Sequence, residues 1–282
     1  MLVGSLKLGA EHDIFLSIML AAAIGTFKMT DYENRYGQAT AATARTGVAV
    51  DEGLRSYMLG VYNYMAAGVG LTGVVAYLVY TMAVVTGVDG KVAGLTDFGT
   101  ALYASPLKWV VMLAPLAFVF FLGFRLQKMS IGAAQMTFWA FAAVMGISMS
   151  SIFLVFTGQS IAQVFFVTAA AFASLSAYGY MTKRDLSGWG SFLIMGVVGI
   201  IIAAIVNWFL QSSALAFAIS VIGVLVFAGL TAYDTQRIKD EYLVIRHDTT
   251  MVAKAAIMGA LSLYLDFINM FMMLLQLFGN RE

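Results

Sequence analysis

Two stretches near the C-terminus decide the fold: Phe227-Ala-Gly-Leu-Thr-Ala-Tyr-Asp234 and Leu261-Ser-Leu-Tyr-Leu-Asp266-Phe-Ile-Asn-Met-Phe271. Each is an apolar segment that carries one acid. An aspartate at the centre of a membrane helix costs on the order of 2.5–3.5 kcal/mol on insertion scales. Two such acids on consecutive apolar segments therefore mark a site that the rest of the chain is built around. The segment between them, Thr235 to Lys254, is charged and reads as a connector.

Composition widens this reading to the whole molecule. Of 282 residues, 61% are hydrophobic and 11% charged, against about 25% charged in a soluble domain. Seven apolar runs approach or exceed the ~20 residues that cross a bilayer: roughly Tyr57–Val85, Trp109–Phe124, Gly132–Phe156, Ala162–Met181, Trp189–Leu210, Leu215–Asp234 and Ala255–Phe278. As helices of a soluble protein they would leave nothing polar to cover a surface. The expected fold is an all-α polytopic membrane protein, a seven-transmembrane-helix bundle over residues 55–282. Residues 1–54 are expected to be an N-terminal extension and cytoplasmic tail of low order. Within them, Ile14 to Ile24 is an apolar run of 11 residues with an acidic flank, too short to span and wrongly flanked for a signal peptide. Residues 1–28 are accordingly set apart from the fold, and Gly37 to Gly53, rich in Ala, Thr and Gly, is expected to be the tail.

The orientation follows from Lys and Arg. The connectors after spans two, four and six carry Arg125, Lys128, Lys183, Arg184, Arg237, Lys239, Arg246 and Lys254, whereas those after spans three and five carry none. The expectation is a cytoplasmic N-terminus, with Arg281-Glu282 outside. Arg237 and Lys239 are expected to snorkel to the cytoplasmic headgroups. The net charge of +1 and the absence of a basic cluster give no reason to expect a nucleic-acid partner. Zero cysteines excludes disulfides, thiolate metal sites and cysteine nucleophiles.

Other features have a bland reading that outweighs the sharp one. Gly68-Val-Gly-Leu-Thr-Gly73 matches a dinucleotide fingerprint by letter, but inside a span there is no strand before it and no free helix N-terminus for a phosphate. Close helix packing is expected there. Ala169, Ala173 and Ala177 form a small-residue ridge suited to tight helix contact, and Asn207 is expected to join helices. His12 and His247 stand alone, so no histidine metal site is expected.

In the last span, Gly259, Ser262, Asp266 and Asn269 fall at steps of three, four and three and share one helix face. Leu263, Leu265, Phe267, Ile268 and Phe271 lie opposite, free to face lipid or other apolar helices. Asp266 lies 12 residues past Lys254, about 18 Å along a helix, near mid-membrane; Asp234 is shallower. Span six continuing past Asp234, or tilt, would have to close that gap. If the acids meet, the pair is sensitive to protons, because two carboxylates in low dielectric do not both ionise cheaply. When deprotonated, Asp234 and Asp266 offer hard oxygens suited to a divalent cation such as calcium. The alternative is that Asp234 pairs with Arg237 and Asp266 bonds Ser or Asn neighbours.

Thr231-Ala-Tyr-Asp-Thr-Gln236 followed by Leu261-Ser-Leu-Tyr-Leu-Asp-Phe-Ile-Asn269 strongly resembles the paired C-terminal signature of the Bax inhibitor-1, or transmembrane Bax-inhibitor-motif, family in a bacterial form. The resemblance covers about Arg55 to Gly279. It implies a pH-sensitive calcium (cation) leak channel of the bacterial cytoplasmic (inner) membrane, with Asp234 and Asp266 as a di-aspartyl pH sensor and proximity between them. It also implies an arginine at the end of the second span that latches the closed state, a place Arg125 fits. Some relatives carry an acid in the second span; residues 109–124 contain none. No cofactor is expected beyond transiently bound calcium. A second reading, from other bacterial relatives, is a regulator or inhibitor of an ATP-dependent membrane protease acting through the tail before Ser56. An intramembrane enzyme fits poorly, since the Gly-x-Gly-Asp type motif of an aspartyl protease is absent around both acids.

Overall fold

The computed structural model describes residues 47–87 and 92–281. Residues 1–28, and the tail as far as residue 46, lie outside the described residues. Among those described, seven helices are long and apolar enough to cross a membrane, and the chain is an all-α polytopic membrane protein. Helix α1 (Gly47–Ala83) leads into a two-stranded antiparallel hairpin, β1 (Val84–Thr86) with β2 (Val92–Leu95), then a short helix α2 (Asp97–Tyr103). There follow α3 (Leu107–Arg125), α4 (Ile131–Met149), α5 (Ile152–Val155), α6 (Gly158–Met181), α7 (Ser187–Leu210), α8 (Ser213–Ile245) and α9 (Thr249–Phe278). The third span is α4 and α5 together.

Three boundaries differ from the sequence expectation, each for a physical reason. Helix α1 begins inside the stretch expected to be tail, because extending an existing long helix costs far less than nucleating one. The third span is broken at Ser150–Ser151, where the Ser150 hydroxyl donates to the Ile147 carbonyl (2.6 Å) and competes with the backbone ladder. Most consequentially, the charged segment after Asp234 is helix: α8 runs on to Ile245, and only residues 246–248 connect it to α9. Asp248 caps α9 by accepting from the N–H groups of Thr250 and Met251 at 2.9 and 3.0 Å.

Helix α9 is the axis of the bundle. It packs against α8, α1, α6 and α4, and 94% of its apolar window is buried. Of the two expectations for the opposite side, lipid or other apolar helices, the second holds: Phe267 packs edge-on to Phe165 and Phe172, and Phe271 to Phe165. Helices α3 and α7 are peripheral, resting chiefly on α4 and α8. The two ends of the bundle are tied separately. At one, the Thr157 N–H donates to the Asn280 carbonyl (3.0 Å) and Arg281 lies over the Phe156 ring. At the other, Gln236 clamps the α6–α7 connector, donating to the Arg184 carbonyl and accepting from the Leu186 N–H, both at 2.8 Å.

The hairpin and α2 lie in the first connector. Thr96 caps α2 by accepting from the Gly99 N–H at 3.0 Å. A Cβ at Gly99 would sit 2.0 Å from the Ala83 carbonyl oxygen, so this approach of α2 to the end of α1 requires glycine. Tyr103 donates to Ser150 (2.8 Å), whose own proton goes to Ile147. Burial pushes the Tyr103 phenol up to about 12, against a smaller downward pull from Ser150 and with a lesser upward push from Tyr80.

Candidate functional site: a buried acid pair

The α8 signature, Thr231 to Gln236, is wholly buried, and most of its side chains have a traceable task. Ala232 presents its backbone to Gly179, where an added Cβ would lie 2.2 Å from the Ala232 carbonyl oxygen. Tyr233 fills the space left by Gly190. Thr235 meets the Ser176 hydroxyl at 2.9 Å, and Ser176 meets Tyr62 at 2.6 Å, so α8, α6 and α1 share one hydroxyl chain. Gln236 is the clamp described above. These contacts fix the rotation of α8 and point Asp234 at α9.

Asp234 is fully buried. Its Oδ2 accepts from the Ser262 hydroxyl, and its Oδ1 lies 3.3 Å from Nη2 of Arg237, one turn along α8. The same Nη2 donates to Ser262 Oγ at 3.1 Å. Arg237 therefore turns inward, with its side chain only 9% exposed; the expectation that it snorkels is corrected. The reason is proximity: a carboxylate three residues away in low dielectric outweighs the distance to the headgroups. Lys239 also bonds inward, to the Tyr180 carbonyl at 3.1 Å.

Helix geometry explains why Ser262, and not Asp266, meets Asp234. Asp234 is 11 residues from the end of α8, while Ser262 and Asp266 are 13 and 17 residues from the start of α9. At 1.5 Å per residue these are depths of about 17, 20 and 26 Å. Asp266 sits one turn deeper. The charges that reach it are those of Asp234 and Arg237, and its Oδ2 is buried with no hydrogen-bond partner. Neither polar neighbour bonds it: Ser262 serves Asp234, and Asn269 Nδ2 donates to the Leu265 carbonyl at 2.7 Å. So the pairing of Asp234 with Arg237 is present, while the bonding of Asp266 to Ser or Asn neighbours is not.

The structure does not bring Arg125 to the acids. Arg125 is exposed in the last turn of α3, and the guanidinium at the pair is that of Arg237. Sequence reading had the signal for this in the i,i+3 spacing of Asp234 and Arg237. Other expectations resolve as follows. At Gly68 an added Cβ would lie 2.8 Å from the Phe138 ring, which is the close packing expected, though Gly70 and Gly73 have open space. Ala173 and Ala177 face outward; the tight contacts of α6 are made by Ser176 and Gly179 instead. Asn207 closes the α7–α8 turn, accepting from the Ser212 N–H at 3.0 Å, beside Gln211 at φ 50°. His247 is exposed. Unforeseen was Tyr264, fully buried at the crossing of α9, α1 and α4, whose hydroxyl meets Thr72 at 2.7 Å.

Fold and site together define a class: a multi-pass helical membrane protein with a buried acid pair on its last two helices. The family model described as Inhibitor of apoptosis-promoting Bax1 matches residues 54–282, and the chain belongs to that family. It is 45% identical over 260 residues to a protein of Caulobacter vibrioides, covering 90% of this chain and all of the relative. It is also 45% identical over 233 residues to the Inner membrane protein YbhL of Escherichia coli, covering 82% of this chain and 94% of YbhL. A Deinococcus radiodurans protein is 38% identical over 229 residues, covering 81% and 92%.

Proposed function

We propose that this protein is a calcium (cation) leak channel of the bacterial cytoplasmic membrane, non-catalytic, gated by protonation at the Asp234–Asp266 site. The observation that carries the reading is Asp266: buried at about mid-helix, with a carboxylate oxygen that no donor satisfies. An intramembrane acid left unsatisfied is costly, and such groups mark ion and proton pathways. Asp234 has Arg237 and Ser262 as partners, so Asp266 is the acid on which the reading turns. Protonation removes a negative charge from the centre of the bundle, and ionisation restores an attraction for a cation in low dielectric. Either change alters the packing of α9 against α8. The inner-membrane location in the name of YbhL agrees with this placement. The experiment is calcium flux into liposomes holding the purified protein, across a pH series. A pH-dependent flux is expected; absence of flux, or flux indifferent to pH, overturns the reading.

The proposed orientation keeps the N-terminus cytoplasmic and the C-terminus outside. It is supported by the cations Arg184, Arg237 and Lys239, which cluster at one end of the bundle. A cysteine placed at Arg281 should react with an impermeant thiol reagent from outside and one at Lys183 should not. The reverse pattern overturns the orientation.

A further inference from the structure

The site has two halves that differ in how far their oxygens are satisfied. On the α8 side, Oδ2 of Asp234 accepts from Ser262, and Oδ1, which accepts no hydrogen bond, lies in an ion pair 3.3 Å from the Arg237 guanidinium. A cation approaching Asp234 would meet the guanidinium at close range and be repelled. On the α9 side, two oxygens lack any donor: Oδ2 of Asp266 and Oδ1 of Asn269, on residues 2% and 1% exposed. Their spacing of three places them on one helix face, neighbours about 5–6 Å apart at Cβ.

The orientation of Asn269 is fixed by chemistry. A carbonyl accepts only from a donor, so the atom 2.7 Å from the Leu265 carbonyl is the amide nitrogen, and Oδ1 is the free edge. Helix side chains lean toward the preceding turn, which here is the turn that carries Leu265 and Asp266. A carboxylate and an amide oxygen, both without donors in the same buried turn, are hard ligands for a cation that keeps part of its water shell.

We propose that the cation seat of this protein is formed by Asp266 and Asn269 on α9 alone, and not by the two aspartates, with Asp234 acting as the counter-ion that holds Arg237 away from it. This rests on the cation-channel reading above, but it is read out by binding and not by transport. The probe is calcium, titrated calorimetrically into the purified full chain in lipid nanodiscs. Asp266→Asn should abolish binding. Asn269→Leu, of similar size without the oxygen, should weaken it on the order of tenfold, and Asn269→Asp, which adds a charge, should tighten it. If Asn269→Leu fails to fold, Asn269→Asp decides alone. Unchanged affinity in both Asn269 variants places the seat between the aspartates and overturns the proposal. Wild-type protein that transports calcium but shows this pattern leaves the channel reading standing.

Discussion

Helices α7 and α9 invert the rule of soluble proteins. Helix α7 has the highest mean hydropathy of the seven spans, 2.5, yet only 33% of its apolar window is buried; α9 has 1.6 and is 94% buried. Phe192, Met195, Ile202 and Phe209 on α7 are all more than half exposed, whereas Ser262, Asp266 and Asn269 on α9 are not. In a bilayer the outer solvent is hydrocarbon, so apolar side chains gain nothing by leaving it. Polar groups gain by burial among protein partners. Hydropathy alone does not single out α9, since α1 and α6 share its value of 1.6 and are each only 28% buried; enclosure by its neighbours does, and α9 is where Asp266 lies.

This contrast can be broken by paired substitutions, one in the α8–α9 centre and one on α7. The largest effect is expected for Arg237→Met, which strands Asp234 as a buried charge at a cost of about 3–5 kcal/mol, while Met195→Leu should stay within about 0.5 kcal/mol. Thermal unfolding in detergent measures both. Equal effects would mean that the ion pair is not buried in the membrane-embedded protein.

Next is Gly179→Ala, whose new Cβ meets the Ala232 backbone and should cost about 1–3 kcal/mol by overpacking. Gly199→Ala on α7, with open space around it, should be neutral or slightly stabilising through helix propensity. A Gly179→Ala protein as stable as the wild type would refute the close α6–α8 approach. Smaller still, Tyr264→Phe removes the bond to Thr72 and should cost about 1 kcal/mol, against no measurable change for Phe209→Leu.

A further effect appears only in alkali, as a pH dependence at the rim of the bundle. The folded Tyr103 phenol ionises near 12, above its ordinary value of 10.0. Stability from the neutral phenol is therefore complete below pH 10 and lost as pH rises through 12. Tyr103→Phe should flatten that part of a melting-temperature profile; an unchanged slope would assign it to another group.

The contrast also explains what the sequence made legible. The seven spans were readable because length and apolarity are set by the bilayer, and the acids because they are costly there. Proximity of the two helices came from the family resemblance. What could not be read was direction. The helix face of Ala173 and Ala177 looks like an interface by size alone, and only the packing of Gly179 on Ala232 shows which face α6 turns inward. Arg237 was placed at the headgroups because its segment looked like a connector; with α8 continuing to Ile245, the same residue is one turn from Asp234 and inside. Ser262 is legible as a member of the polar seam of the last span, but its partner Asp234 is not, since that depends on which helix is brought opposite.

The claim that the centre of α9 carries the function is tested most directly by the pH profile of calcium flux through Asp266→Asn in liposomes, beside the wild type. The substitution keeps size and polarity but removes the charge that varies. The account expects the pH-dependent part of the flux to be lost, with Arg125→Ala retaining the wild-type response. An Asp266→Asn protein with a normal pH profile would contradict it.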